Sequence, residues 1–208
     1  MSEQDGRGAT SKVARILLVR HGQSDWNATG RWQGQADPPL SALGERQAHH
    51  AGTAAELATL DTVEASDLER ARRTAELAVA GRVELRCDVR WRERHAGVWQ
   101  GLTRDEIDAG WPGFLARGAR PEGWEHDDDL YARATGALMD LAHRAVGGVA
   151  LVVTHGGVIR TVERRLGAPG ELVPNLGARW LTVEDGALAL GERTVLVDDA
   201  EITIPSQF

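Results

Sequence analysis

Along the chain, short apolar runs alternate with longer stretches in which apolar residues recur every three or four positions. Arg15-Ile16-Leu17-Leu18-Val19-Arg20 is a compact apolar run of the kind buried on both faces of a parallel sheet. Val149 to Thr154 is the strongest such run, and shorter strands are expected at Val63 to Ser66 and Val83 to Cys87. The intervening stretches predict helices. One starts at an N-capping Ser41 and carries Leu43, Ala48, Ala51, Ala55 and Leu57; another spans about Leu68 to Ala80. Thr103 and Glu106 form a capping box for a short helix ending near Gly110-Trp111-Pro112. Gly113 to Gly123 is irregular. A helix over about Asp127 to Val146 has an acidic first turn that suits its dipole, and Gly156 to Leu166 continues from the strongest strand as a helix.

Arg179 to Val183, Ala187 to Leu190 and Thr194 to Val197 read as closing strands, with Asp185-Gly186 as a hairpin turn. His21 to Pro39, with Gly22, Gly30, Gly34, Pro38 and Pro39, reads as a long loop, of a length that in compact domains is usually either functional or disordered. Residues 1–14 are polar and aperiodic, a frayed leader, which leaves 15–208 as a single domain. Strands alternating with helices indicate an α/β fold with a mainly parallel sheet.

Composition narrows the class of protein. A chain of 208 residues buries roughly 70% of the surface it exposes when unfolded and needs no covalent staple. A single cysteine, Cys87, excludes an intrachain disulfide framework; with no apolar signal segment, it favours a reducing cytoplasm. No run approaches the roughly 20 apolar residues of a membrane span. The net charge of −7 argues against nucleic acid or an anionic membrane as partner. Lys12 is nevertheless the only lysine. Genome composition bias accounts for that, or some of the guanidiniums fork onto phosphate or carboxylate; composition does not choose between the two.

In two places a buried strand runs straight into histidine and glycine: Leu18-Val19-Arg20-His21-Gly22 and Val152-Val153-Thr154-His155-Gly156-Gly157. Ligands of open α/β sheets gather at the carboxyl ends of strands, so two histidines delivered there can face one another across one pocket. Glycine after each lets the backbone turn and approach a ligand, and the second junction also opens a helix N-terminus that favours an anion.

Arg20-His21-Gly22-Gln23-Ser24, with Trp26-Asn27 behind it, resembles the RHG signature of the histidine phosphatase superfamily, which includes the cofactor-dependent phosphoglycerate mutases. The resemblance continues in order through Arg31-Trp32-Gln33-Gly34, Asp37-Pro38-Pro39-Leu40-Ser41, Ser66-Asp67-Leu68-Glu69-Arg70-Ala71, Arg92-Glu93-Arg94-His95-Ala96-Gly97, Trp99-Gln100-Gly101-Leu102-Thr103 and Thr154-His155-Gly156-Gly157. It implies a phosphoglycerate mutase-like, three-layer αβα sandwich. It also implies His21 as the nucleophile that becomes phosphohistidine, with Arg20, Arg70 and His155 clamping the phosphoryl oxygens. Glu93 corresponds to the proton donor and water activator, and Asn27, Gly22, Gln33, Gly34 and Gly156 to substrate contacts. No metal and no other cofactor is implied, because converging arginines stand where a cation would.

Without the resemblance, Arg70 among Arg72 and Arg73 would read as a solvated helix face, and Glu93 among Arg90, Arg92 and Arg94 as a surface ion pair. His49, His50 and His143 are expected at exposed helix positions without a role, and Trp32 and Trp124 as walls of the site.

The same scaffold either returns the phosphoryl group to a sugar-acid oxygen or hands it to water. Mutases of the family carry a long basic insert after the glutamate; here Leu102 to Val153 is short, punctuated by Arg104, Arg117, Arg120, Arg133 and Arg144. They also place tyrosine where this chain has Ala96 and asparagine where it has Gly157. The expectation is therefore a phosphomonoesterase acting on a small phosphorylated metabolite of sugar phosphate or phosphoglycerate type. A phosphoglycerate mutase and a silent phospho-ligand-binding member are the alternatives. Family phosphatases often read Gly-Gly-Glu-Ser before the long helix. Gly123-Trp124-Glu125-His126 keeps the glutamate and departs on either side, with His126 either bordering the substrate or serving as a replacement cap. A homodimer is common in the family, and this sequence does not specify one.

Overall fold

Four consecutive residues, Ile16, Leu17, Leu18 and Val19, are buried, which requires apolar cover on both faces of their strand. The computed structural model describes residues 13–204 and shows how that cover is built. The strands are β1 (Val13–Arg20), β2 (Thr62–Ala65), β3 (Leu85–Cys87), β4 (Val149–Thr154), β5 (Gly177–Glu184) and β6 (Ala187–Val195). They form one sheet in the order β3-β2-β4-β1-β5-β6. β3, β2, β4 and β1 are mutually parallel, while β5 runs antiparallel to β1 and β6 antiparallel to β5.

The helices are α1 (Asp25–Ala28), α2 (Ala42–Ala51), α3 (Glu69–Val79), α4 (Arg104–Gly110), α5 (Asp127–Arg144) and α6 (Gly156–Arg165). Side chains alternate across the sheet and so divide the core in two. Ile16, Leu18, Ala150 and Val152 pack with Leu130, Leu138 and Leu141 of α5 and with Ile159 of α6. Leu17, Val19, Leu151 and Val153 pack with Ala51 of α2 and Ala71 and Ala75 of α3. Each buried branched side chain contributes about 1.5–3 kcal/mol. The result is the expected three-layer αβα sandwich.

Several boundaries differ from those the sequence predicts. β1 starts at Val13, so the leader gives up its last two residues; residues 1–12 lie outside the described part. The loop after β1 contains the single-turn helix α1, closed by a Ser24–Asn27 capping box. The helix expected to run from Leu43 to Leu57 stops at Ala51, and Ala55–Leu57 is a separate 3-10 turn.

The two closing strands at Ala187 and Thr194 are one strand, β6, with its register shifted opposite Trp180. A side chain at Gly191 would meet the Trp180 Cβ at 2.8 Å. Glycine lets the extra residue bulge there, and the gap in the apolar pattern marks that bulge rather than a break. The Asp185-Gly186 turn is as expected, with both residues at positive φ. His126 stands at the N-cap of α5, but its side chain makes no capping hydrogen bond, so it is not a replacement cap. Among the described residues, no helix is long and apolar enough to cross a membrane.

Candidate active site

β1 and β4 are parallel neighbours whose registered pairs end at Arg20–Thr154. The residues that leave the two strand ends, His21 and His155, therefore emerge side by side, with the His21 amide donating to the Thr154 carbonyl at 3.0 Å. Their rings meet edge to face with centroids 5.1 Å apart, and both are buried.

The hydrogen bonds of His21 determine its tautomer. Nδ1 lies 2.6 Å from the Gly22 carbonyl oxygen, which can only accept, so Nδ1 carries the proton. Nε2 is left with its lone pair and accepts from Arg70 Nε at 3.3 Å. Burial, reinforced by the charges of Arg70 and Arg20, holds the His21 pKa well below the ordinary histidine value. The ring is therefore neutral near pH 7, with its unshared pair on Nε2. His155 is likewise held neutral by burial and then by Arg70 and His21.

Arg70 is fully buried on the first turn of α3, contrary to a solvated-face reading. Its guanidinium donates to the Gly34 carbonyl at 2.8 Å and the Ala36 carbonyl at 2.7 Å while Nε reaches His21. Arg72 and Arg73 do take the surface role, pairing with Glu76 and Glu45. Arg20 anchors Nη1 on the Val173 carbonyl at 2.6 Å. Burial lowers the pKa of both Arg20 and Arg70 to about 10, which leaves them charged near neutrality.

Arg20 Nε, Asn27 Nδ2 and both ring nitrogens of His155 are buried with no hydrogen-bond partner among the described residues. Each unmet group of this kind costs about 1–3 kcal/mol, so several around one histidine pair suit an oxyanion guest. Asn27 is oriented for this: its Oδ1 accepts from the Ser24 amide at 3.2 Å and from Asn175 Nδ2 at 3.4 Å, which turns Nδ2 away from both.

Glu93 reaches the pocket from the loop after β3, not the surface. Its carboxylate accepts from its neighbour Arg94 N at 2.7 Å and from Gly157 N at 2.9 Å. A Cβ on residue 157 would stand 2.1 Å from Glu93 Oε1, so this placement of the carboxylate requires glycine there.

The cavity encloses about 280 Å³, near the lower end of the roughly 300–1,000 Å³ common for small-molecule sites. Of the expected residues, Arg20, His21, Arg70, Glu93, Gln33, Gly34 and Gly156 line it, as do Trp32 and Trp124. His155, Asn27 and Gly22 are not part of its lining. Gly22 serves the site differently, because its carbonyl fixes the His21 tautomer and a side chain on it would collide with the Gly44 carbonyl at 2.7 Å.

Arg94, Arg120, Arg160, Arg164 and Asp127, for which the sequence suggests no role, also line the cavity. Helical spacing from Gly157 through Arg160 to Arg164 was the available signal for two of them. Asp127 takes Arg94 at 2.7 Å and Arg164 at 3.3 Å. Among the described residues, no carboxylate lies within ion-pair reach of Arg120, whose guanidinium sits over the Trp124 ring. Asn175 had no local signal. It donates to the His21 carbonyl at 2.9 Å from 154 residues away, and Thr203 holds its amide oxygen in turn.

A buried neutral histidine with a directed lone pair, between two guanidiniums and opposite a carboxylate, has the chemistry of a phosphoryl-transfer centre. The chain belongs to the histidine phosphatase superfamily (branch 1), whose sequence profile matches residues 16–186. It is 34% identical to the glucosyl-3-phosphoglycerate phosphatase of Mycolicibacterium vanbaalenii over 207 residues, 90% of this chain and 91% of that protein. It is 38% identical to phosphoglycerate mutase-like protein 4 of Arabidopsis thaliana over 162 residues, covering 73% of this chain and 70% of that one. The native structure of mycobacterial glucosyl-3-phosphoglycerate phosphatase superposes with a TM-score of 0.76 at 31% identity, covering 86% of this chain and 97% of that one.

Proposed function

We propose that the protein is a cytoplasmic phosphomonoesterase. It hydrolyses a small phosphorylated metabolite of sugar phosphate or phosphoglycerate type through a phosphohistidine. The observation that carries this reading is the forced tautomer of His21, whose free Nε2 lies beside Arg70 in the cavity that Glu93 also lines.

His21 Nε2 attacks phosphorus in line, and the P–O bond to the leaving oxygen breaks as Glu93 gives that oxygen a proton. Water then attacks the phosphohistidine while the Glu93 carboxylate takes its proton. The P–N bond breaks, and inorganic phosphate leaves with His21 restored. Arg20, Arg70, Asn27 and His155 hold the three phosphoryl oxygens as charge redistributes.

Two features support water as the acceptor. Ala96 and Gly157 offer no side-chain polar group to a second phosphoryl position, and Gly157 is committed to Glu93. The further arginines that line the cavity support a metabolite with a second anionic group over the phosphate ester of an uncharged sugar. Burial and then the facing charge of Arg94 lower the Arg120 pKa, and burial followed by Arg164 lowers that of Arg160. A second anionic group on the substrate relieves that crowding.

The mutase reading is kept by the relatives that carry that name, and it predicts 3-phosphoglycerate isomerisation dependent on 2,3-bisphosphoglycerate. Phosphate release from 3-phosphoglycerate without bisphosphoglycerate is the expected result; robust isomerisation reverses the assignment. His21→Ala is expected to abolish both p-nitrophenyl phosphate hydrolysis and acid-labile phosphoryl labelling. Survival of either removes His21 as nucleophile.

A further inference from the structure

The Arg133 guanidinium has five N–H donors, and all five are engaged. Nε and one N–H of Nη2 fork onto the Glu125 carboxylate at 2.7 and 2.9 Å. The other N–H of Nη2 reaches the Glu93 carbonyl at 3.1 Å, and Nη1 reaches the carbonyls of Arg90 at 2.7 Å and Arg92 at 2.6 Å. Glu125 extends the grip by accepting from the His95 amide at 3.0 Å.

One ion pair anchored on α5 thus holds the backbone of residues 90, 92, 93 and 95, the segment that presents Glu93 to the cavity. That segment otherwise has little regular structure, only a 3-10 turn at Val89–Trp91. Both partners are largely shielded, with side chains 19% and 15% exposed. Burial alone would raise the Glu125 pKa, but the hydrogen bonds and charge of Arg133 outweigh it and keep the carboxylate ionised.

We propose that Arg133, locked by Glu125, is a positioning residue that sets the reach of the Glu93 carboxylate to the leaving oxygen. This rests on the reading of Glu93 as proton donor. Arg133 is not itself one of the residues lining the cavity; it reaches Glu93 at that residue's backbone carbonyl, so its hold on the carboxylate passes through the loop. Lysine cannot replace it, because three donors on one nitrogen cannot span a carboxylate and three separate carbonyls.

The test is the leaving-group dependence of kcat/KM, which reports steps only through formation of the phosphohistidine. An activated ester, p-nitrophenyl phosphate, leaves without protonation, whereas an alkyl ester, glycerol 3-phosphate, requires it. The full-length chain and its Glu93→Gln, Arg133→Gln, Arg133→Lys and Arg133→Gln/Glu93→Gln variants are compared on both esters.

The inference expects both Arg133 variants to lose at least about 10-fold more on the alkyl ester than on the nitrophenyl ester. It also expects the double variant to lose no more alkyl-ester activity than Glu93→Gln alone, the mark of two residues acting through one step. Should Arg133→Gln fail to fold, Arg133→Lys carries the comparison. Equal losses on the two esters by the Arg133 variants, with the bias intact in Glu93→Gln, overturn the inference alone. Absence of the bias in Glu93→Gln overturns the reading of Glu93 and the inference with it.

Discussion

Guanidinium geometry explains most of what happens at the scale of single residues. Arg70 holds two carbonyls and the nucleophile's Nε2 at once, a task that depends on the planar fork rather than on charge. Arg70→Lys keeps the charge and loses the fork. It is expected to lower kcat/KM for p-nitrophenyl phosphate by about 10²–10³, the range for losing a preorganised donor at developing charge. Retention of a tenth of the activity would show that charge alone suffices. Gly157 illustrates the opposite case, a position where the lack of a side chain does the work by leaving room for Glu93.

At the scale of elements, α1 is the most delicate part of the site. A single turn cannot stabilise itself, since helix nucleation is unfavourable, so it depends on its cap. Ser24 Oγ accepts from the Asn27 amide at 3.1 Å and donates to Gln33 Oε1 at 2.8 Å. Caps of this kind contribute about 0.5–2 kcal/mol. Ser24→Ala is expected to raise KM several-fold with a smaller change in kcat, because it loosens Asn27 and Gln33 and leaves His21 in place. Steady-state kinetics on p-nitrophenyl phosphate checks this, and an unchanged KM would mean that α1 is held by its other contacts. Elsewhere, elements long enough to show their period were legible in the chain: β1, β4, α3, α5 and α6 lie within a few residues of their predicted spans. The misplaced elements were those set by contacts from afar, such as the bulge in β6 against Trp180.

For the whole molecule, the buried histidine pair links the site to stability. The folded-state pKa values of His21 and His155 both lie below the ordinary value near 6.5. The unfolded chain therefore binds protons that the native state refuses. Stability from this source is complete above about pH 6.5 and declines as pH falls below it, by about 1.4 kcal/mol per pH unit for each histidine. His50 has the opposite sign. Its hydrogen bond to Glu201 raises its pKa, so its contribution is present in acid and lost as pH rises through the folded value, and exposure keeps it small. Between pH 7.5 and 5.5 the melting temperature of the wild type is expected to fall faster than that of His155→Asn. Parallel slopes would show that His155 is not held neutral.

The sequence by itself determined the alternation of strands and helices, the two strand–histidine–glycine junctions and the ordered blocks that carry the family resemblance. Those properties are local, written in periodicity and in short motifs. It did not show that Arg70 is buried while Arg72 and Arg73, two and three residues further along the same helix, are partly exposed, since one helix face becomes the interior only when packed. Nor did it distinguish Arg133, which read as one more arginine in a short insert, from Arg104 or Arg117. The four residues it bonds lie 8 to 43 residues away in the chain. Asn175 reaches His21 across 154 residues. Hydrogen bonds between distant segments exist only once the sheet has set its strand order, and that order decided which arginines guard the site and which face water.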